Sequence, residues 1–436
     1  MKRIVFALVA LCLLIPFAGH AAVKVAQPTF TSNYVMLTHP APAPRAGVRE
    51  LVDVAALLLA LSTAAYLALK ARSRRGIFVL TLFSLAYFGF WRKGCVCSVG
   101  SIQNVTLALF DSTYVLPLSV LLFFLLPLIF ALAFGRVFCA AVCPLGAAQD
   151  LVVLRPVQVP SWLSSALGVL PYVYLGSAVL LAATGAGFVI CRLDPFVSFF
   201  RLNGEAWVLV MGVLFLVLGI FIARPYCRFA CPYGVLLNWF SRFSRWHVTI
   251  TPDECVQSRL CERACPFDAI LMPNSEQTSE ARDIGVKRIA LMLILAPMLV
   301  IGAGWIGSRL ATPLAFVSGT VRLANQIGRE EAGLTSKATV ETEAFSATAK
   351  PSSELYAEAQ EIMVRCRLGG WIFGGFVGLA FASKLIGLSL RRTRKDYEPD
   401  MATCFSCGRC FEYCPREQLR LKNITQSKDG TADGRR

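Results

Sequence analysis

The run Cys404-Phe405-Ser406-Cys407-Gly408-Arg409-Cys410-Phe411-Glu412-Tyr413-Cys414-Pro415 has the spacing Cys-x2-Cys-x2-Cys-x3-Cys-Pro. Three closely spaced thiolates of this kind wrap one face of an iron–sulfur cluster, and the fourth, turned by the proline, reaches a neighbouring cluster. Zinc is the competing reading of four Cys, but this order followed by Pro disfavours it. A degraded copy lies upstream: Cys255-Val256-Gln257-Ser258-Arg259-Leu260-Cys261-Glu262-Arg263-Ala264-Cys265-Pro266. Aligned on its proline, it carries Ser258 where the second Cys belongs. The swapped ligation rule then predicts one complete [4Fe–4S] site from Cys404, Cys407, Cys410 and Cys265. The second site has only Cys255, Cys261 and Cys414 as thiolates. It is expected to hold [3Fe–4S], or [4Fe–4S] with Ser258 or an exogenous ligand on the fourth iron.

Between the two runs lie two apolar segments, Ile289–Ile306 and Gly370–Leu388. Two crossings return the chain to the face it left, so the halves can meet there. Further candidate spans are Leu51–Leu69, Ile77–Trp91, Val115–Phe134, Leu163–Ile190 and Trp207–Ala223, judged against the roughly 20 apolar residues a bilayer asks for; Ile77–Trp91 is short, and a re-entrant segment is its alternative. Hydrophobic types make up 56% of the 436 residues, charged types 16%, and mean hydropathy is +0.59. That excludes an ordinary soluble enzyme. The 43 Lys and Arg against 27 Asp and Glu give +16, which invites a nucleic-acid reading. In a membrane chain, however, basic loops are topology signals. Lys70, Arg72, Arg74 and Arg75, then Arg224, Arg228, Arg242 and Arg245, then Arg391, Arg392, Arg394 and Lys395 all fall on one face if the first crossing starts outside. That face is expected to be cytoplasmic, and no nucleic-acid partner is expected. Met1-Lys2-Arg3, the apolar run Ile4–Ala18 and small residues after it read as a signal peptide.

The expected fold is therefore an all-α polytopic membrane protein of about seven transmembrane helices, with a small α+β module on the cytoplasmic side like a bacterial ferredoxin. In order, residues 1–21 are the signal peptide, 22–50 a periplasmic segment and 51–248 a five-helix membrane domain. Ferredoxin half 1 follows at 249–284, a transmembrane helix at 285–308, a periplasmic loop at 309–369 and another transmembrane helix at 370–390. Ferredoxin half 2 covers 391–425, and a disordered tail covers 426–436. The three His, at 20, 39 and 247, lie outside every span, so no haem is expected.

The membrane domain contains a repeat. Arg136-Val137-Phe138-Cys139-Ala-Ala-Val-Cys143-Pro144-Leu145-Gly146 parallels Arg224-Pro225-Tyr226-Cys227-Arg-Phe-Ala-Cys231-Pro232-Tyr233-Gly234, each at the inner end of a span. Cys residues four apart share one helical face, and two such pairs can bring four thiols to a common point. Cys139, Cys143, Cys227 and Cys231 are thus a candidate metal or cluster site; helix-packing Cys is the alternative. At the outer span ends, Cys95, Cys97 and Cys191 form a second candidate metal or cluster site. A structural disulfide such as Cys97–Cys191 is the alternative on an oxidising face, and Cys366 reads as packing.

Taken together, the two Cys-x3-Cys-Pro repeats (Cys139/Cys143 and Cys227/Cys231) followed by the two cluster-type runs resemble the NosR/NirI and NapH group of membrane polyferredoxins, here without the periplasmic FMN domain. The resemblance covers about Leu51 to Leu421. It implies a multi-pass protein of the bacterial inner membrane that moves electrons between the quinone pool or a cytoplasmic donor and a periplasmic acceptor. A separate periplasmic flavoprotein or reductase is the expected partner. The pattern also resembles the copper-reducing maturation protein CcoG, which gives a cupric reductase as the alternative; a redox-sensing regulator is the third reading.

Overall fold

The computed structural model describes residues 47–94, 97–112, 114–201, 205–250, 255–256, 258–274, 282–334, 339–348, 350–389, 394, 396–420 and 423. The expected signal peptide, nearly all of segment 22–50, Cys95 and the tail 426–436 lie outside the described residues.

Apolar runs become helices because lipid offers no partner for backbone N–H and C=O groups. The first elements are α1 (Gly47–Leu69), α2 (Arg74–Ser84), a π-helical continuation at Leu85–Trp91, α3 (Ser98–Phe110) and α4 (Leu118–Phe134). A second π-helical turn at Phe138–Val142 leads into α5 (Pro144–Leu151). Then come α6 (Ser161–Leu167), α7 (Leu170–Ala183), α8 (Val189–Leu193), α9 (Pro195–Arg201), α10 (Ala206–Phe221), α11 (Pro225–Phe229) and α12 (Pro232–Ser241). Among the described residues four helices are long and apolar enough to cross a bilayer: Arg49–Leu69, Ser161–Ala183, Ile284–Ala315 and Ser352–Ser389. The pair α9 and α10, bent by 105°, makes a fifth if it is one broken span, and α4 is a shorter apolar helix. The chain is a multi-pass helical membrane protein.

Two buried short helices were not anticipated by the apolar pattern. The first is α3, where Cys97 caps the N-terminus and its Sγ accepts from the Gly100 amide at 3.3 Å. Its hydroxyls stay inside the helix, Ser101 donating to Ser98 O (2.7 Å) and Thr106 to Ile102 O (2.8 Å). Polar side chains satisfied in this way do not betray a buried helix to a hydropathy scan. The second is α9, which begins after the fully buried Asp194, whose Oδ1 accepts from Phe196 N at 3.0 Å.

After α13 (Leu260–Ala264) and β1 (Ile270–Leu271), the chain leaves in α14 (Arg282–Ala315), turns through α15 (Gly319–Glu331) and α16 (Val340–Ala347), and returns in α17 (Ser352–Ser389). At 1.5 Å per residue these 34- and 38-residue helices are roughly 50–57 Å long, well beyond the ~30 Å hydrocarbon core. Part of segment 309–369, expected as a loop, is therefore helical extension. The hairpin closes on glycine: a Cβ on Gly370 would lie 2.7 Å from Gly307 O, and one on Gly378 2.8 Å from Leu299 O. Small residues of this kind let transmembrane helices approach backbone to backbone. Cys366, fully buried in α17, belongs to an apolar cluster that also holds Leu355, Ala359 and Val321.

The hairpin brings the two Cys runs together. β2 (Glu398–Pro399) pairs antiparallel with β1, Ile270 opposite Pro399 and Leu271 opposite Glu398. Then α18 (Arg409–Glu412) completes a small α+β unit whose core holds Ile250, Cys261, Ile270 and Tyr397.

Candidate functional site

In the α+β unit, Cys265, Cys404, Cys407 and Cys410 line one pocket, with Phe267 and Phe405 beside them. Ser406 (φ 52°) and Gly408 (φ 79°) bend the backbone on either side of Cys407, and the Ser406 amide donates to Cys404 Sγ at 3.5 Å. Burial pushes the Cys404 thiol up to about 12, with Arg136 opposing. A buried thiol held neutral in this way becomes a thiolate only when a metal supplies the positive charge. The four-thiol donor set, the enclosed pocket and the inward-turned amide fit a [4Fe–4S] cluster. Cys261 lies within electrostatic reach of both Cys255 and Cys414, a separate group, Ser258 being exposed.

The repeats form the second centre. Cys139 sits on the π-helical turn and Cys227 on α11, while Cys143 and Cys231 cap α5 and α12, whose first residues are Pro144 and Pro232. Proline suits the first helical position because its missing N–H would be unpaired there anyway. The Leu145 and Gly146 amides donate to the Cys143 sulfur, and Gly234 to that of Cys231. All four thiols lie within electrostatic reach of one another.

The repeat arginines cross over. Arg224 donates to Cys139 O, and to Ala140 O at 3.1 Å, and a Cβ on Gly146 would meet its guanidinium at 3.4 Å. Arg136 lies 3.5 Å from a Cβ on Gly234 in the other repeat, and its Nη2 approaches Cys139 Sγ at 3.9 Å. At both places the opposite repeat's arginine lies in ordinary van der Waals range of the glycine. Both arginines are buried, and the Nε of each has no hydrogen-bond partner. Two orphaned buried donors beside four thiols fit an anionic group. Gln149 holds the other side, its Nε2 donating to Cys227 Sγ at 3.3 Å and its Oε1 accepting from Tyr226 N at 3.0 Å.

The Cys97 and Cys191 thiols both face Gly100, whose Cβ would lie 3.8 and 3.3 Å from their sulfurs. Cys97 is a free thiol, so no disulfide joins them; α3 instead uses its sulfur as a cap. This group is near the repeat centre. Tyr226, adjacent to Cys227, donates its hydroxyl to Asp194 at 3.3 Å and packs its ring against Phe196 at 5.4 Å. Asp194 in turn lies within electrostatic reach of Cys97. Cys95 is outside the described residues.

The module docks on the repeat centre through arginines. Arg136 donates to Ala402 O at 3.2 Å, Arg74 to Cys407 O at 3.1 Å, and Arg228 pairs with Asp268 at 2.9 Å. Arg72 pairs with the buried Glu417 at 2.7 Å. Asp150 on α5 binds Arg74 (3.0 Å), Arg409 (3.1 Å) and Arg224 (3.5 Å) together. Sequence reasoning assigned no role to Asp150, Asp194, Gln149 or Phe405, and took the basic residues as topology signals alone. A signal for Asp150 existed: it follows Gly146 by four residues, where the second repeat has Asn238 after Gly234.

Among the described residues, no three His, Cys, Asp or Glu side chains converge tightly enough to hold a single metal ion. Thiolates around a cluster stand farther apart, because its irons and sulfides occupy the space between them.

Residues 116–170 and 204–251 match the family model of a 4Fe-4S binding domain, and each segment contains one Cys-x3-Cys-Pro repeat. An uncharacterized protein of Methanocaldococcus jannaschii is 28% identical over 206 residues, 45% of this chain and 83% of its own length. YccM of Escherichia coli, whose name places it in electron transport, is 26% identical over 156 residues, 32% of this chain and 43% of that protein. The regulatory protein NosR of Stutzerimonas stutzeri is 27% identical over 217 residues, 46% of this chain and 29% of that protein. The chain thus matches less than half the length of YccM and of NosR. No solved structure matches the chain.

Proposed function

Since the chain is a membrane polyferredoxin of the NosR/NirI type, we propose that it relays electrons across the bacterial inner membrane. The donor is a cytoplasmic protein or quinol, and the acceptor a periplasmic partner such as a flavoprotein or reductase. The order is the ferredoxin-type clusters, then Cys139/Cys143/Cys227/Cys231, then Cys95/Cys97/Cys191. In the module, Cys404, Cys407, Cys410 and Cys265 hold [4Fe–4S]; Cys255, Cys261 and Cys414, with Ser258 or an exogenous ligand, hold the second cluster. Iron–sulfur clusters supply one-electron steps at potentials that charge and hydrogen bonds tune. Everything else is done by this chain: it holds the centres close and keeps water from them.

The observation that carries the reading is the direct seating of the module on the repeat centre. Phe405, next to Cys404, has the Arg136 guanidinium 4.3 Å over its ring, and the same guanidinium reaches Cys139 Sγ. Charge supports a cluster at the repeat centre too. Arg136 reaches Cys139 Sγ, while Arg74, Arg224 and Arg409 share the single carboxylate of Asp150 beside it, and buried cations need anionic partners. Seven crossings with the module cytoplasmic accord with the basic residues: Arg72, Arg74, Arg224 and Arg228 all contact the module, and basic loops favour the cytoplasmic side.

The test is anaerobic reconstitution into vesicles with an impermeant reductant on the module side and a trapped acceptor inside. The expected result is acceptor reduction that fails when Cys139 or Cys227 is replaced. Copper bound at the repeat thiols without inorganic sulfide would replace this reading with the cupric reductase.

A further inference from the structure

Several contacts hold the module to the membrane domain, and one of them, at Asp150, gathers arginines from both sides of the seam. Asp150 is buried at 5% exposure on α5, the helix capped by Cys143. Its Oδ1 accepts from Arg409, which lies between the cluster-motif residues Cys407 and Cys410. Its Oδ2 accepts from Arg74 at 3.0 Å, whose other Nη donates to Cys407 O at 3.1 Å. The same Oδ2 lies 3.5 Å from Arg224, which donates to the Cys139 and Ala140 carbonyls. One carboxylate therefore ties three arginines, two gripping the module's cluster loop and the third gripping the backbone of the first repeat. Arg72 with Glu417 and Arg228 with Asp268 add further docking pairs, but neither gathers more than one arginine from the membrane domain onto a buried carboxylate of that domain.

Resting on the relay reading, we propose that Asp150 is the positioning residue that sets the separation and register between the module's complete cluster site and the repeat centre. Asp150 bears no ligand role. It converts three mutually repelling guanidinium groups into a rigid clamp, and electron transfer between the centres depends on that clamp. Without the carboxylate the three cations repel one another across the seam, and the cluster loop lifts while its own thiols keep their cluster. Small displacements matter because transfer through a packed contact is steep in distance.

The experiment uses the full chain, purified anaerobically, as wild type, D150N, R409Q and the double variant. Iron and sulfide are counted, the magnetic interaction between reduced centres is read by EPR, and electron passage from module to repeat centre is followed after rapid mixing with dithionite. The expected result is unchanged iron and sulfide, a weakened spin–spin interaction, and transfer slowed by roughly tenfold or more, the scale at which ångström misplacement acts. The double variant is no slower than D150N, because both changes break one clamp. Wild-type interaction and rate in D150N with full cluster content overturn the proposal, as does strict additivity in the double variant. Should D150N lose iron, R409Q decides, since its partly exposed side chain leaves the core intact: slowed transfer supports the clamp and a wild-type rate overturns it. A wild-type protein with sulfide in the module alone is a different outcome, and it removes the relay reading itself.

Discussion

The guanidinium of Arg136 lies 4.3 Å from the centroid of the Phe405 ring. This contact joins the two ends of the chain's chemistry. Arg136 opens the first Cys-x3-Cys-Pro repeat, and Phe405 follows the first Cys of the C-terminal run, 269 residues away in sequence. The ring is buried, tilted at 44° against Phe267 of the other module half with centroids 4.7 Å apart, and Arg224 approaches it at 5.7 Å. One phenyl group thus touches both halves of the module and both repeats. Replacing it, Phe405→Leu, keeps an apolar side chain but removes the face on which the arginines rest. A desolvated cation–π contact is worth about 1–2 kcal/mol, so denaturant unfolding should show a loss of that size. Iron content should stay at the wild-type value; a variant as stable as wild type would show that the ring contact is incidental.

Asp150 makes a pH prediction. Burial raises its pKa, but Arg224, Arg409 and Arg74 more than reverse this and hold the carboxyl at about 2, below its ordinary 3.8. A carboxyl with a lowered folded pKa stabilises the fold above its unfolded pKa and loses that contribution as pH falls through the folded value. The linkage amounts to about 2 kcal/mol, fully present above about pH 4–5 and gone near pH 2. The stability gap between wild type and D150N should therefore be constant from neutral pH to about 5 and shrink on further acidification. A gap that widened in acid would contradict the assignment.

The sequence carried the helical class, the two cluster runs and their need to meet, because these rest on local spacing and on counting crossings. The seating of the module was not readable. Arg72, Arg74 and Arg228 look the same whether they merely mark the inner face or clamp a domain, and their acceptors, the carbonyl of Cys407 and the carboxylates of Asp268 and Glu417, are remote in sequence. The buried helix α3 was missed for a different reason: Ser98, Ser101, Gln103 and Thr106 dilute its hydropathy, yet all are buried. The link from this region to the second repeat was not readable either, because Phe196 and Asp194 lie 30 and 32 positions before the Tyr226 they contact.

Ser258 gives the sharpest test of the swapped ligand sets. Placing the missing thiol there, Ser258→Cys, should raise the iron count and convert any three-iron EPR signal into that of an ordinary four-iron cluster. It should leave the Cys265/Cys404/Cys407/Cys410 site untouched, since Cys261 groups with Cys255 and Cys414. Cys265→Ser should do the reverse, removing iron from the complete site because Cys265 lines its pocket. An unswapped pattern, with Cys265→Ser depleting the Cys255/Cys261 centre, would refute the assignment.

At the repeat centre, replacement of one thiol should cost the whole group. Cys139 and Cys227 are both buried and coupled across the repeats, so Cys139→Ser and Cys227→Ser should each lower iron and sulfide by the same amount, and the double variant no further. The module's own EPR signal should persist in all three. Equal iron in wild type and variants would reduce these thiols to packing residues.

The glycine seam between α14 and α17 decides whether the module can assemble at all, because Cys265 precedes the hairpin and Cys404 follows it. A Cβ on Gly374 would press on Ala303 O and lie 3.0 Å from the Gly304 Cα, backbone that cannot rotate away. Gly374→Val should therefore spread the helices, at an overpacking cost of roughly 1–3 kcal/mol or more. Gly302 on the same hairpin is the control, since a Cβ there meets nothing within 4 Å. Thermal melts in detergent, followed by cluster absorbance, should show an earlier transition and reduced iron for Gly374→Val and a wild-type profile for Gly302→Val. If both variants melt alike, the seam does not hold the two Cys runs together.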